Sequence, residues 1–396
     1  MTHYDVVVIG GGISGIVRAG CLVSQGKEVL VLDKKSKMGG SIYTYYSNRA
    51  KGYWIEMGAH TVYNSYRETL KLIKEFDLIS QIIKRKKLKF MLYDVKGFSS
   101  ILYKLNFFQM GLGLLRLRLL SKKGQTVSRY YAKVFGENNF KNVLKYAFDG
   151  VLSQNSDDFP AELLFKSYKK NKNYPRSFTF DQGLSVLVDT LVRELQCNFS
   201  VNTKVDNIER NGGGWLVKSS KGIVRCDEIV LATPPSESAR ILDSGGVLGS
   251  YQKTFDLIGQ SNINSVGVIL KQDMSQHIPE IAGCIGVEQD FYSMVSRDVV
   301  FNKDYRGFVF HFKGSESFEL DRYINSIKGY LAICDESIID TVYCKNFLPM
   351  INPKFLSKSV HLREHFEKIS ISLIGNYFSR LSIEDCVAQG RGPMNI

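Results

Sequence analysis

The sequence predicts an α/β protein in which a discontinuous parallel-sheet domain carries an inserted α+β domain. Three observations support this fold class. An apolar strand over residues 4–9 runs directly into a glycine-rich turn and a helix. A second apolar strand, over residues 371–374, precedes a glycine, a polar loop and a last helix. Between them, a basic and aromatic stretch and a later run of short strands with turn residues indicate a second domain.

The composition is that of a globular protein with room for more than one domain. Hydrophobic residues make up 44% and charged residues 23% of the 396 residues, which excludes a disordered or collagen-like chain. No run approaches the ~18 consecutive apolar residues of a membrane span, and no export signal is recognised. The 7 cysteines are scattered without a C-x-x-C pair, so we expect reduced thiols, no metal site and a cytoplasmic protein.

The first strand is followed by a dinucleotide-binding fingerprint. Gly10, Gly12 and Gly15 have the spacing G-x-G-x-x-G. The first glycine permits a tight turn, the second lets backbone amides approach a pyrophosphate, and the third lets the helix pack on the strand. Ile13 precedes a helix that begins at about Ser14, and the N-terminal amides of such a helix favour a bound phosphate. These residues are therefore predicted to hold the phosphates of a nucleotide cofactor.

An acidic residue stands where such a unit requires one. The helix is predicted over residues 14–25 and a second strand over residues 27–32. Asp33 follows, 18 residues after Gly15, where its carboxylate can accept hydrogen bonds from ribose hydroxyls, and Lys34 adjoins it. The order of strand, glycines, helix, strand and acid predicts a Rossmann-like domain that binds NAD or FAD.

The next segments distinguish these two cofactors. The stretch with Gly39, Gly40 and Ser41 resembles the one after the acid in FAD enzymes of the flavin amine oxidase and protoporphyrinogen oxidase superfamily. The stretch Gly58-Ala59-His60 resembles that family's "G-x-H" passage beside the isoalloxazine ring. The resemblance implies FAD as the cofactor, a FAD-binding domain of the GR2 type, and cofactor-binding roles for these residues.

Segments further along the chain resemble the same family. Gly375 and Asn376 follow the C-terminal strand, as in protoporphyrinogen-oxidase-like proteins, where such residues meet the phosphate and ribityl chain. A helix that begins near Ile383 would aim its positive N-terminus at the flavin N1–C2=O edge. Val205 resembles the valine whose backbone holds adenine, and Thr233 lies in a stretch similar to the family's "A-T-P" strand. The resemblance thus runs through nearly the whole chain.

Departures from the amine oxidase pattern favour the protoporphyrinogen-oxidase-like branch. Ser41 and Asn376 replace the arginine and glutamate usual at these positions, and Ser382 replaces a tyrosine of the amine-binding cage. The resemblance implies a FAD-dependent oxidoreductase, an oxidase or a dehydrogenase. It would oxidise a C–H bond next to nitrogen or on a conjugated ring by hydride transfer to flavin N5. No catalytic residue is predicted, and the candidates to line the substrate site are His60, Tyr63 and Tyr377.

Two other functions stay open on the sequence alone. UDP-galactopyranose mutases share the FAD fold, and the stretches 33–35, 39–40 and 58–60 are compatible with their motifs. A mutase would act on a sugar nucleotide without net redox change. The other alternative is a protein that retains FAD without catalysis.

The predicted FAD-binding domain comprises residues 1–78, 176–240 and 352–396. The substrate-binding domain comprises residues 79–175 and 241–351, and its portion 79–148 is predicted to be a basic, aromatic and helical insertion. That portion holds 15 Lys and Arg against 2 acids, so it accounts for the whole net charge of +13.

The basic insertion is open to three interpretations. It could be a solvated loop followed by a core helix, a surface that meets an anionic membrane on its inner face, or a region that attracts an anionic small-molecule substrate. Its densest part consists of Lys84, Arg85, Lys86, Lys87 and Lys89. No nucleic-acid partner is predicted, because nothing else resembles a nucleic-acid-binding module. The oligomeric state is left open.

Overall fold

The structure is a computed structural model that describes residues 1–115, 117, 120–165, 168–314 and 319–392. Arg116, Arg118 and Leu119 of the basic insertion lie outside the described residues. The strands are β1 (His3–Ile9), β2 (Val29–Leu32), β3 (Thr44–Tyr46), β4 (Trp54–Glu56), β5 (Val62–Tyr63), β6 (Ile82–Lys84), β7 (Phe90–Asp94), β8 (Gly97–Ser100), β9 (Ser177–Phe180), β10 (Asn198–Ser200), β11 (Val205–Asn211), β12 (Gly214–Ser219), β13 (Gly222–Leu231), β14 (Gly259–Lys271), β15 (Gly283–Gly286), β16 (Phe291–Ser296), β17 (Tyr305–Lys313), β18 (Ile338–Met350) and β19 (Ile371–Leu373).

The α-helices alternate with these strands and cover their faces. They are α1 (Ile13–Val23), α2 (Arg67–Glu75), α3 (Phe107–Leu115), α4 (Val127–Phe135), α5 (Glu137–Asn139), α6 (Lys145–Leu152), α7 (Ser185–Glu194), α8 (Pro235–Ser244), α9 (Gln252–Phe255), α10 (Leu320–Leu331), α11 (Pro353–Glu367) and α12 (Ile383–Arg391). A short π-helix, Phe140–Leu144, joins α5 to α6. Among the described residues, no helix is long and apolar enough to cross a membrane.

A seven-stranded sheet forms the base of the molecule. Its order is β10-β2-β1-β13-β12-β11, and β19 also pairs with β13. The pairs of β1 with β2 and β13, and of β13 with β19, are parallel. Residues 6–9 of β1 are buried, since helices cover both faces, which explains why this strand is continuously apolar. The predicted α/β class with a parallel sheet is confirmed.

The observed boundaries differ slightly from the predicted ones. Helix α1 covers residues 13–23 rather than 14–25, and β2 begins at Val29 rather than at residue 27. Lys27 is half-buried and Glu28 is exposed, so the buried strand comprises only the four apolar residues that follow. Gly26 ends the turn after α1 with φ +80°, in the left-handed region that glycine adopts readily.

A second seven-stranded sheet lies in the inserted region. Its order is β18-β14-β17-β16-β15-β7-β8, and its pairs are antiparallel except β15 with β7. Helix α10 packs on one face through Tyr323, Ile327 and Leu331. All strands of this sheet fall within residues 79–175 and 241–351, and all strands of the first sheet fall outside them. The exact domain boundaries stay a prediction.

The prediction of a helical insertion over residues 79–148 is wrong for its first part. Residues 82–84, 90–94 and 97–100 are strands, and helices begin only at Phe107. A hairpin turn explains the difference, because the Asp94 carboxylate accepts a hydrogen bond from the Lys96 amide (2.8 Å) and Gly97 has φ +89°. Strand β7 then pairs with β15, almost 200 residues away in sequence, a contact that no local pattern reveals.

Candidate functional site

Four parallel strands of the first sheet end at one edge, and each is followed by residues of the predicted site. Gly10 follows β1, Asp33 follows β2, Thr233 lies two residues after β13, and Gly375 lies two residues after β19. A cavity of about 270 Å³ opens at this edge. In open α/β sheets, ligands bind outside the carboxyl ends of the strands, so the topology alone marks this edge as a binding site.

The three glycines of the N-terminal turn serve different purposes. A Cβ atom on Gly10 would lie 2.5 Å from the Ala232 carbonyl oxygen, and one on Gly15 would lie 2.0 Å from the Gly10 carbonyl oxygen. Both positions therefore need glycine for packing within the chain. A Cβ atom on Gly12 would meet nothing nearer than the Gly40 Cα at 3.9 Å. The space beside Gly12 is therefore open to a ligand, as the fingerprint predicts.

A second glycine pair approaches the first turn. Gly39 and Gly40 have φ +122° and +64°, and the Gly39 amide donates to the Gly11 carbonyl at 2.7 Å. Gly12 is the N-cap of α1 and has no side chain with which to cap the helix. The first amides of α1 and the glycine backbones together form a cradle suited to phosphate.

Asp33 is fixed by the backbone around it. Its Oδ2 accepts from the Gly11 amide and its Oδ1 accepts from the Lys35 amide, each at 2.7 Å. Each carboxylate oxygen can accept more than one hydrogen bond, so acceptor capacity remains for ribose hydroxyls. Asp33, Lys34 and Lys35 all line the cavity.

The C-terminal helix α12 reaches the cavity with its N-terminus. Ser382 caps the helix by accepting from the Asp385 amide (3.2 Å), and Ser382 and Ile383 line the cavity. The buried Glu384 carboxylate accepts from the amides of Glu68 and Thr69, both at 2.9 Å. These bonds join the first turn of α12 to the first turn of α2, so the helix end is held rigidly beside the cavity.

Most residues predicted to bind the cofactor line this single cavity. They are Gly10, Gly12, Ile13, Ser14, Asp33, Lys34, Gly39, Gly40, Ser41, Ala59, Val205, Thr233, Gly375, Asn376 and Ile383. Gly15 and Gly58 lie behind the wall, where a Cβ atom on Gly58 would lie 2.3 Å from the Ser41 carbonyl oxygen. Contact of these residues with FAD stays a prediction.

Known proteins resemble this chain in sequence and in fold. A model of the family "Flavin containing amine oxidoreductase" matches residues 13–291. The chain belongs to this family. Its membership confirms the predicted superfamily, the FAD cofactor and the class of FAD-dependent oxidoreductases.

Individual relatives of the family are distant. The fold resembles a crystal structure described as a protoporphyrinogen oxidase of Exiguobacterium sp. 255-15, with a TM-score of 0.80, 16% identity, and coverage of 98% of this chain and 97% of that one. A segment is 35% identical to flavin-containing amine oxidase B of Homo sapiens over 93 residues, which is 24% of this chain and 17% of that protein. Another is 23% identical to UDP-galactopyranose mutase of Mycoplasma genitalium over 169 residues, 42% of this chain and 39% of that protein. The chain thus matches only a minor part of the length of these two relatives.

The three candidates to line a substrate site do not lie together on the cavity wall. Tyr377 is fully buried, with its hydroxyl 3.3 Å from the Ser238 Oγ, and burial raises its pKa. Tyr377 does not line the cavity, because its ring packs in the core against Phe355 and Phe378. Tyr63 is 43% exposed and its ring packs on Tyr66. His60 lines a separate, smaller cavity.

The sequence missed two parts of the cavity wall. At the predicted adenine end, Arg240 donates to the Val205 carbonyl (2.5 Å) and pairs with Glu237 (2.7 Å), which lines the cavity. In the second sheet, residues 345–349 of β18 line the cavity, and the Asn346 side-chain amide donates to the Met57 carbonyl at 3.1 Å. Strand β18 belongs to the other sheet and carries no motif, so no sequence signal pointed to it.

The residues present fit FAD. The open space at Gly12, the uncapped first turn of α1 and the fixed carboxylate of Asp33 suit a pyrophosphate and a ribose. Among the described residues, no group of three or more His, Cys, Asp or Glu side chains could hold a metal ion.

Proposed function

We propose that this chain oxidises a small molecule at a C–H bond next to nitrogen or on a conjugated ring, with FAD as the acceptor. When bound, FAD supplies a two-electron acceptor that takes a hydride at N5. The chain's own residues bind the cofactor, orient the substrate and exclude water. The family, the FAD-type cavity and its closure by the second sheet support this proposal.

The observation that carries the proposal is that parts of both sheets line one cavity. The glycine turns and Asp33 line it, and a nucleotide would bind there. Residues 345–349 of the second sheet line it as well. The side-chain amide of Asn346 donates to the Met57 carbonyl and to the Ser265 Oγ (3.0 Å). These bonds hold the strand in place. A substrate would therefore meet the cofactor between the two sheets, as interdomain sites commonly arrange.

Two titratable groups of the cavity are unsuited to act as a nucleophile or base. Burial raises the pKa of the Cys386 thiol to about 12, so the thiol stays protonated. Burial acts to raise the pKa of Glu237, but the hydrogen bond from Arg240 and its charge outweigh burial, and the pKa is lowered. Glu237 is therefore a paired carboxylate. Neither side chain is proposed as a base, and the bound flavin is proposed as the electron acceptor.

A spectroscopic experiment tests the reaction class. Purified protein should be yellow, and an oxidisable amine or a reduced conjugated-ring compound should bleach the flavin band once under anaerobic conditions. Activity on UDP-galactopyranose that appears only after reduction with dithionite would favour the mutase instead. Retained colour with no bleaching by any compound of either class would favour a protein that keeps FAD without catalysis.

We also propose that the insertion meets an anionic membrane surface. Five large apolar side chains between residues 102 and 117 are exposed, from 39% for Leu117 to 91% for Tyr103, which is unusual for a soluble surface. The others are Leu102, Phe107 and Phe108. Lys84, Lys86, Lys87 and Lys89 are exposed in the same insertion, so cations accompany the apolar groups as interfacial binding requires.

A further inference from the structure

A second cavity, of about 30 Å³, lies on the far side of the turn that borders the FAD cavity. Ala59 lines the larger cavity, whereas the next residue, His60, lines the smaller one. Strands β4, β16 and β17 form much of its wall. Its polar lining includes two guanidinium groups, those of Arg85 and Arg297.

The two arginines are half-buried and lack the ion-pair partners that cations removed from water normally have. Arg297 stacks over Trp54 (3.9 Å to the ring centroid) and its Nη1 donates to the Val300 carbonyl at 2.6 Å. The Nη1 of Arg85 donates to the Thr61 hydroxyl. The Nε atoms of both arginines are buried and have no hydrogen-bond partner. Neither arginine has a carboxylate within 4 Å among the described residues.

The nearest acid is already engaged by other donors. The Glu56 oxygens accept from the Leu184 amide at 2.7 Å and the Thr44 hydroxyl at 2.8 Å. Burial raises the pKa of Glu56 to about 7, although these bonds and both arginines act to lower it. Burial, and then the charge of Arg85, lower the pKa of His60 to about 3, so His60 is neutral near pH 7. The cavity therefore has an excess of positive charge.

A third polar group with no partner lies at the same place. Thr179 is 2% exposed, lines the cavity, and its Oγ1 has no hydrogen-bond partner. Unpaired polar atoms are uncommon in protein interiors, and three that border one cavity indicate an occupant that pairs with them. Water could pair with the hydroxyl, but it would add no negative charge beside two half-buried guanidinium groups whose cavity contains one acid, Glu56, already bonded to other donors.

We propose that this cavity binds a small carboxylate between the guanidinium groups of Arg85 and Arg297, with the Thr179 hydroxyl as a further donor. Guanidinium groups suit carboxylates because their planar N–H donors match two oxygens. The volume exceeds the 10–15 Å³ that one water requires, so a group of formate size is the appropriate scale. The carboxylate belongs either to the substrate of the proposed reaction or to a free anion. Binding itself does not depend on that reaction.

Formate, the smallest carboxylate, is the probe, and its neutral analogue formamide is the control. The FAD-loaded protein is heated in a concentration series of each, with sodium chloride added to hold the ionic strength constant. A ligand that binds only the folded state raises its midpoint of unfolding in a saturable way. Formate should raise the midpoint and formamide should not.

Four variants make this test specific. Arg297→Gln and Arg85→Gln should each raise the apparent Kd for formate at least tenfold. Arg363→Gln is the matched control, because Arg363 also lies over an aromatic ring, that of Phe378 (5.3 Å), and also has a buried unpartnered Nε, but does not line the cavity. It should bind formate as the wild type does. Bound FAD per chain reports whether each variant is folded, and Arg297→Lys provides a second variant that keeps the charge.

The outcomes separate the proposal from its rivals. Equal effects of formate and formamide, or unchanged formate binding in both glutamine variants, would overturn it and assign the cavity to water. If formate binds and also raises the concentration of compound needed to bleach the flavin, the carboxylate belongs to the substrate. If formate binds without changing that concentration, the site takes a free anion. Either result supports the site, and neither depends on which compound is oxidised.

Discussion

The two cavities on either side of the Gly58–His60 turn are constructed in opposite ways. In the larger one, the predicted phosphate and ribose sites consist of glycine turns, helix amides and a single carboxylate held by two amides. The smaller one is formed by side chains, and its charged groups are buried between strands of both units. A backbone site depends on where the chain can pass, whereas a side-chain site depends on which charges face each other. The first should be sensitive to added volume and the second to changes of charge and pH.

The largest effect should come from adding volume to the backbone site. Gly12→Asp places a side chain and a negative charge where the pyrophosphate is predicted to bind. Because a Cβ atom at Gly12 meets nothing closer than 3.9 Å, the chain should still fold. We expect more than a hundredfold loss of FAD affinity, measured by titration of the purified protein with FAD and by its visible spectrum.

The opposite end of the same helix provides the control. Gly26 has φ +80° and no atom within 4 Å of an added Cβ, so Gly26→Ala should cost about 1 kcal/mol of stability and leave FAD bound. A yellow Gly12→Asp protein with normal FAD content would contradict the assignment of the cavity. A variant that loses FAD only because it unfolds would show a changed far-ultraviolet spectrum, which the open space at Gly12 argues against.

The backbone site could be predicted from sequence because its requirements are local. Gly10, Gly12 and Gly15 act within six residues, and Asp33 follows the next strand of the same βαβ unit. Each therefore has a recognisable spacing. The C-terminal residues Gly375 and Asn376 lie far away in sequence, yet they follow a parallel strand, and strand ends of one parallel sheet meet at one edge.

The smaller cavity shows the limit of such reasoning. Arg85 lies in a run of lysines and was grouped with them as surface charge, but its guanidinium faces inward and donates to Thr61. Arg297 follows a strand of the other sheet, more than 200 residues later. Only pairing between distant strands brings the two side chains together, and a single sequence contains no signal for that pairing.

An intermediate effect should come from Glu56, the acid that lines the smaller cavity. Burial raises the pKa of Glu56 to about 7 in the folded protein, against about 4.3 for an unperturbed glutamate. An acid with a raised folded pKa costs no stability well below pH 4. The cost grows as the pH rises from about 4 to 7 and is complete above pH 7. At about 1.4 kcal/mol per pKa unit, its full size is on the order of 4 kcal/mol.

Glu56→Gln should remove this pH dependence. We expect the midpoint of thermal unfolding of the variant, relative to that of the wild type, to rise between pH 5 and pH 8 in the FAD-loaded state. Glu56 accepts bonds from Leu184 and Thr44, and any pH-independent cost of replacing its carboxyl group shifts the whole curve without changing its slope, so the slope is the informative quantity. Glu137→Gln is the control, since the Glu137 side chain is 69% exposed. Parallel curves for Glu56→Gln and the wild type would show that burial does not raise the pKa of Glu56.

The smallest effect concerns the basic run, in which Arg85 lines the smaller cavity while the neighbouring lysines are exposed. Lys84, Lys86 and Lys87 are exposed, so replacing all three by Gln should weaken co-sedimentation with anionic vesicles while FAD and formate binding stay unchanged. Each cation near such a surface contributes about 1 kcal/mol, so the loss should be modest and greatest at low salt. Arg85→Gln should weaken formate binding and leave co-sedimentation with vesicles unchanged, because the Arg85 guanidinium lies at the smaller cavity.

Salt separates the two components of the membrane interaction. Attraction between exposed charges is mostly lost when the Debye length falls from ~10 Å at 0.1 M salt to ~3 Å at 1 M. Insertion of the exposed Phe107 and Phe108 would persist at 1 M, and their replacement by Ser should remove that remainder. No sedimentation with anionic vesicles at low salt would exclude the membrane surface.

Equal losses from Arg85→Gln and the triple lysine variant would mean that the run acts as one surface, so the assignment of Arg85 to the interior would be wrong. The four adjacent residues thus test whether a single stretch of sequence serves both a membrane surface and a buried anion site.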